Sequence, residues 1–149
     1  MTSISVGRAG ETVMESNAAA KGGTKLRILV VDDEPSSREL LLTLLSHCGA
    51  QVEAGSGSTE ALAEVARFKP DVLISDIEMP EEDGYSFIGK VRSLPRDKGG
   101  ETPAAALTAY ARDEDRLQAL AAGYQMHIAK PISASQLVNM VAKLVGRET

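Results

Sequence analysis

LRILVVDDEP at residues 26–35, DVLISDIEMP at residues 71–80 and AAALTAY at residues 104–110 decide how this chain folds. Each is a short, nearly unbroken apolar run that stops at a group able to bind or react: Asp32 and Asp33, Asp76, and Thr108. A strand with one wet face would alternate apolar and polar residues, so unbroken runs of this length predict strands buried on both faces. Working outward, QVEAG at residues 51–55 and QMHIA at residues 125–129 extend the set to five. Helical spacing of apolar residues fills the intervals at residues 35–48, 58–68, 85–92, 112–122 and 133–145. Five strand and helix pairs in alternation, joined by right-handed crossovers, predict a doubly wound α/β fold with a five-stranded parallel sheet and five helices.

Local chemistry supports these limits. Pro35 suits a first helical turn, Gly49 and Gly123 follow helices, and Ser133 with Gln136 has the form of a capping box. In the last helix Leu137, Val141 and Leu144 share one face, with Met140 beside them, and are expected to pack on the sheet.

The 149 residues, 43% hydrophobic and 25% charged, fit one globular domain with a core of its own. A formal charge of -5 gives no broad positive field, so nucleic acid is not an expected partner. The most apolar stretch, residues 40–45, is far too short to span a bilayer, and no secretory signal opens the chain. The single cysteine, Cys48, cannot form an internal disulfide; a reducing cytoplasm suits it, and its spacing from Leu41, Leu44 and Leu45 marks a packed thiol. His47 and His127 lack metal-ligand spacing and read as surface or packing residues. Residues 1–25, rich in small and polar side chains, read as a flexible tail or linker, with a short helix over residues 11–21 as the alternative. The domain then occupies residues 26–146, and residues 147–149 form a C-terminal end.

In an open α/β sheet the ligand site lies beyond the carboxyl ends of the strands. There stand Asp32, Asp33, Asp76, Thr108 and Lys130. Three gathered carboxylates repel one another unless a cation neutralises them, and a hard divalent cation such as Mg2+ accepts carboxylates, a backbone carbonyl, waters and a phosphate oxygen. Lys130 adds positive charge and Thr108 a hydroxyl donor. With that charge balanced, the carboxylate of Asp76 can attack phosphorus and form an acyl phosphate.

VVDDEP, DIEMPEEDGY, ALTAY and AKP, in that order at strand ends, resemble the receiver domains of two-component signalling over residues 26–146. The resemblance implies the flavodoxin-like strand order 2-1-3-4-5. It implies that Asp76 is the phosphoacceptor, Asp33 a direct Mg2+ ligand, Asp32 an acidic partner acting mostly through water, and the carbonyl of Glu78 the backbone ligand. Thr108 and Lys130 would bind the phosphoryl group. Tyr110 would be an aromatic switch that swings inward when Thr108 is recruited, with Ala109 the small residue that keeps the pocket open. Pro80 and Gly84 would shape the loop after the acceptor, and Pro131 is expected to follow a cis peptide bond. The side chain of Glu78 reads equally as a solvated acid and as a residue that tunes kinetics from beside the pocket.

The resemblance also implies a histidine kinase or histidine phosphotransfer protein as phosphodonor, and a downstream partner, its identity open, on the face of the fourth helix, fifth strand and fifth helix. The chain would catalyse only its own phosphorylation and dephosphorylation. A phosphatase of the haloacid dehalogenase type also phosphorylates an Asp after a strand, but its signature needs a second Asp where this chain has Glu78. A degenerate receiver acting as a scaffold is a third reading, opposed by the complete pocket. Too few residues follow the last helix for an output domain, so output is expected from another chain or another part of a parent protein, such as a hybrid sensor kinase.

Overall fold

A computed structural model describes residues 3–6, 12–15, 25–110 and 112–146. Strands β1 (Ser3–Val6) and β2 (Thr12–Glu15) pair antiparallel. Thr12–Glu15 is thus extended where the sequence also allowed a helix; the rest of the expected tail, residues 1–2, 7–11 and 16–24, lies outside the described residues, as does the end at residues 147–149.

The main body alternates β3 (Arg27–Val31), α1 (Pro35–His47), β4 (Gln51–Gly55), α2 (Ser58–Phe68), β5 (Val72–Asp76), α3 (Gly84–Arg92), β6 (Ala104–Thr108), α4 (Asp113–Ala122), β7 (Met126–Ala129) and α5 (Ala134–Gly146). A 3-10 turn at Arg96–Lys98 precedes β6. All neighbouring strands of the five-stranded sheet run parallel, in the order β4-β3-β5-β6-β7. Counted within that sheet alone, this is 2-1-3-4-5, the doubly wound flavodoxin-like order.

The unbroken apolar runs have a simple cause. Along β3, Ile28 and Val30 enter the core beneath α1 and α5, whereas Leu29 and Val31 enter the core shared with α2, α3 and α4. On β5, Val72 and Ile74 face one side and Leu73 the other. Successive side chains point to opposite faces, so a sheet covered on both sides needs an apolar residue at every step. The last helix packs as its spacing predicts, burying Leu137, Met140, Val141 and Leu144. Ser133 and Gln136 form the reciprocal capping box, with Ser133 N–H donating to Gln136 Oε1 at 2.9 Å and Gln136 N–H to Ser133 Oγ at 3.1 Å.

Far from the strands' carboxyl ends, Arg92 in the last turn of α3 is half-buried and joins three segments. Its Nε donates to the Gly123 carbonyl at 2.9 Å, Nη1 to the carbonyls of Thr102 at 2.8 Å and Gly100 at 3.1 Å, and Nη2 to Gln125 Oε1 at 3.1 Å. Gln125 Oε1 also accepts from Ala104 N–H at 2.7 Å. Loop carbonyls around the starts of β6 and β7 are thereby satisfied by one planar fork of donors.

Candidate phosphoacceptor and metal site

Four strands, β3, β5, β6 and β7, deliver the site, and backbone hydrogen bonds continue one residue past the ends of β3, β5 and β7. Asp32 N–H donates to Gly55 O at 3.1 Å, Ile77 N–H to Leu107 O at 2.9 Å, and Lys130 N–H to Thr108 O at 2.8 Å. The side chains at these ends are therefore held at a rigid rim, and oxygens of Asp32, Asp33 and Asp76 lie within 4.8 Å of one another. Asp32 is 0% exposed, Asp76 4% and Thr108 2%, whereas Asp33 is half-buried.

Asp32 is the best-anchored acid. Its Oδ1 accepts from Glu34 N–H at 2.9 Å and its Oδ2 from Ser37 Oγ at 2.6 Å, while Arg38 Nη1 donates to its carbonyl at 2.8 Å. Lys130 Nζ stands 3.3 Å from both Asp32 Oδ2 and Asp76 Oδ2. Asp76 Oδ1, by contrast, is buried with no hydrogen-bond partner. Burial pushes the Asp76 carboxyl up; Lys130 opposes this and Asp32 and Glu78 add to it, leaving it at about 6. Burial alone would lower the Lys130 ammonium, yet attraction to Asp76 and Asp32 holds it above its ordinary value.

A buried carboxylate oxygen without a donor is costly unless a cation meets it. With three carboxylates converging there and only oxygen donors in the cluster, Asp32, Asp33 and Asp76 fit a hard divalent cation.

The loop after Asp76 turns back under close constraint. Gly84 N–H donates to Ile77 O at 2.9 Å, and a Cβ at Gly84 would lie 2.5 Å from the Asp76 carbonyl oxygen. Only glycine permits that approach. Buried Tyr124 donates from its hydroxyl to the Gly84 carbonyl at 2.7 Å. Glu82 fastens the outer loop: it accepts from Ser58 Oγ and from Ser86 Oγ at 2.9 Å, and pairs with Lys90 at 2.6 Å. Those contacts, Lys90 first, draw its carboxyl down to about 2. The Lys130–Pro131 peptide is cis, as expected.

Two expected residues have unexpected surroundings. The Glu78 carboxylate accepts from Thr108 Oγ1 at 2.6 Å and from Ala109 N–H at 2.9 Å. Tyr110 is 57% exposed, with the Arg112 guanidinium 5.8 Å from its ring centroid. Ala109, Pro131 and Lys130 border a cleft with Ser37, Leu40 and Ile132, while Pro80 and Glu82 border a polar cleft with Ser58 and Lys90. His127, read from sequence as a packing or surface residue, is half-buried on β7 with a buried, unpartnered Nε2; burial holds its imidazole below the usual value. Cys48 is half-buried and burial raises its thiol. Among the described residues, no helix is long and apolar enough to cross a membrane.

A five-stranded 2-1-3-4-5 sheet with an acidic cluster, a threonine and a lysine at its carboxyl edge defines a receiver. Residues 28–142 match the response regulator receiver domain family, and the chain belongs to it. It is the phosphoacceptor module of two-component signalling, the kind found in response regulators and hybrid kinases. An uncharacterized 14.6 kDa protein from the sodA1 3' region of Leptolyngbya boryana is 46% identical over 117 residues, covering 78% of this chain and 88% of that one. Hybrid signal transduction histidine kinase D of Dictyostelium discoideum is 31% identical over 138 residues, 89% of this chain but 9% of the kinase. Among solved structures, the receiver domain of sensor histidine kinase PA1611 from Pseudomonas aeruginosa PAO1, with magnesium coordinated in its active site cleft, has a TM-score of 0.74 and 28% identity, covering 83% of this chain and 99% of that one. Receiver domains as a class work with histidine kinases or phosphotransfer proteins.

Proposed function

We propose that Asp76 accepts a phosphoryl group from the phosphohistidine of a histidine kinase or phosphotransfer protein, in a Mg2+-dependent reaction in the cytoplasm. The observation that carries this reading is Asp76 Oδ1, buried and without a donor beside Asp32, Asp33 and Lys130. In the transfer a P–O bond forms to an Asp76 carboxylate oxygen as the P–N bond breaks, its electron pair remaining on the departing imidazole nitrogen. Asp33, Asp76 and the Glu78 carbonyl, with Asp32 behind, would hold Mg2+, which would supply positive charge to offset that developing on the phosphoryl oxygens. Lys130 balances the anionic nucleophile and then the phosphoryl oxygens, and Thr108 donates its hydroxyl to one of them.

The chemistry ends on this chain's own Asp76, so the protein acts as a signalling domain and not as an enzyme on other substrates. Recruitment of Thr108 draws Tyr110 inward and alters the face of α4, β7 and α5, where Leu117 and Leu120 are exposed for a downstream partner. The test is acetyl phosphate with Mg2+, followed by intact mass. One phosphoryl addition is expected in the parent and none in Asp76→Asn; an equally strong acid-labile addition in the variant would sink the assignment. Unchanged amide signals over α4, β7 and α5 in the phosphorylated parent would sink the switch.

A further inference from the structure

We infer that the Glu78 carboxylate is a built-in occupant of the phosphoryl-oxygen site, a positioning residue that holds Thr108 and Ala109 in the resting state and must be evicted when Asp76 is phosphorylated. The inference rests on Asp76 being the phosphoacceptor. It goes beyond that reading by giving the Glu78 side chain specific partners to hold and release.

Thr108 has a single hydroxyl proton, and it is committed to Glu78 Oε2 at 2.6 Å. Its oxygen is also engaged, accepting from Tyr110 N–H at 3.1 Å. The neighbouring Ala109 N–H is committed to Glu78 Oε1 at 2.9 Å. Two oxygens on one planar anion thus take two adjacent donors that a phosphoryl group on Asp76 would draw on. Thr108 cannot donate to both anions, because it has one proton. Nor can the two anions share the space without repulsion. Thr108 is buried, so water cannot readily replace a lost partner there, whereas Glu78 is exposed and regains solvent when displaced. Eviction is therefore directional: Thr108 exchanges one anion for another, and Glu78 moves into water.

The same contacts give Glu78 a hold on Tyr110. The Tyr110 amide is tied to the Thr108 hydroxyl oxygen, so while Glu78 retains Thr108, the backbone leading into Tyr110 is retained with it. Release of one bond frees both residues together.

The test uses the full chain with beryllofluoride, a tetrahedral phosphoryl mimic that binds a carboxylate, at fixed Mg2+. Glu78→Ala should bind it about three- to tenfold more tightly than the parent, the range for release of one exposed, charge-assisted contact. Glu78→Gln, which keeps an acceptor oxygen without the charge, should fall between the two. In the resting protein without Mg2+ or beryllofluoride, the Ala109 amide proton should move upfield in Glu78→Ala, and beryllofluoride should return it downfield. Equal or weaker binding by Glu78→Ala overturns the inference, as does an Ala109 amide that does not move. Identical tightening by Gln and Ala overturns it too, because charge repulsion alone would then suffice. Absence of Mg2+-dependent binding in the parent and both variants, with the Ala109 shift intact, removes the phosphoacceptor reading itself; the contact would stand but its role in phosphoryl access would be overturned.

Discussion

Lys130 Nζ lies 3.3 Å from Asp76 Oδ2, and the same nitrogen is equally close to Asp32 Oδ2. One cation serving two buried carboxylates leaves the pocket short of positive charge.

Protonation of Asp76 should compete with metal. Its carboxyl, raised to about 6 chiefly by burial, favours the neutral form in the metal-free fold. Below that pH, Mg2+ affinity should fall by about tenfold per pH unit, one proton being displaced per metal bound. Stability has the opposite sign: a raised carboxyl pKa contributes stability that is fully present below about 4, the unfolded value, and is lost as pH rises through about 6. Metal-free Asp76→Asn should therefore gain on the parent across that interval. Titration calorimetry and urea unfolding at stepped pH measure the two trends; an Mg2+ affinity flat from pH 7 to 5 contradicts the first.

Asp33→Asn removes one of the three clustered charges with little change of shape. The metal-free variant should be more stable by about 1 kcal/mol, seen as a melting temperature about 2–4 °C higher for a chain of this size. It should also lose most of the stabilisation that added Mg2+ gives the parent. A variant that melts lower and keeps the full Mg2+ shift contradicts both the repulsion and the ligand role.

Two glycines of α3 should behave oppositely. At Gly84 a Cβ meets the backbone of Asp76 and Ile77, at 2.5 and 2.8 Å, so Gly84→Ala should cost about 1–3 kcal/mol and slow phosphorylation by displacing the acceptor loop. At exposed Gly89 a Cβ meets nothing within 4 Å, and Gly89→Ala should stabilise by about 0.5–1 kcal/mol through helix propensity. Parallel denaturant melts and acetyl phosphate kinetics check the pair. Similar effects from the two would refute the close approach at Gly84.

Arg92→Ala should cost about 2–4 kcal/mol, because it strands the carbonyls of Gly100, Thr102 and Gly123 that one guanidinium now serves. Phosphorylation at saturating Mg2+ should persist under conditions where the variant is folded, since these contacts lie away from the acidic cluster. A loss below 0.5 kcal/mol by urea unfolding would show that solvent replaces them freely.

The fold was legible because burial on two faces leaves a compositional trace. Ile28, Leu29, Val30 and Val31 had to be apolar in succession, and the reactive Asp32 and Asp33 begin where that demand ends. The convergence of Asp32, Asp76, Thr108 and Lys130 followed from the same logic, as all four stand at one edge of a parallel sheet. Other features leave no such trace. Glu78 pairs with Thr108 from 30 residues away in the sequence, and nothing around either residue announces the contact. Arg92 looks like any basic residue in a last helical turn, yet its donors face inward. The strands at Ser3–Val6 and Thr12–Glu15 sit in a segment too polar and glycine-rich for its periodicity to stand out.

Tyr124 touches the Gly84 carbonyl, and Gly84 in turn abuts the peptide of Asp76. A phenol rooted beside the start of β7 therefore serves as a buttress behind the acceptor's own backbone. A blow struck on the carboxylate, whether by an arriving phosphorus or a departing one, is met by a wall and not by a hinge. If Asp76 is the acceptor proposed above, recoil would be left to the side that carries Thr108 and Tyr110, giving the message one direction in which to leave.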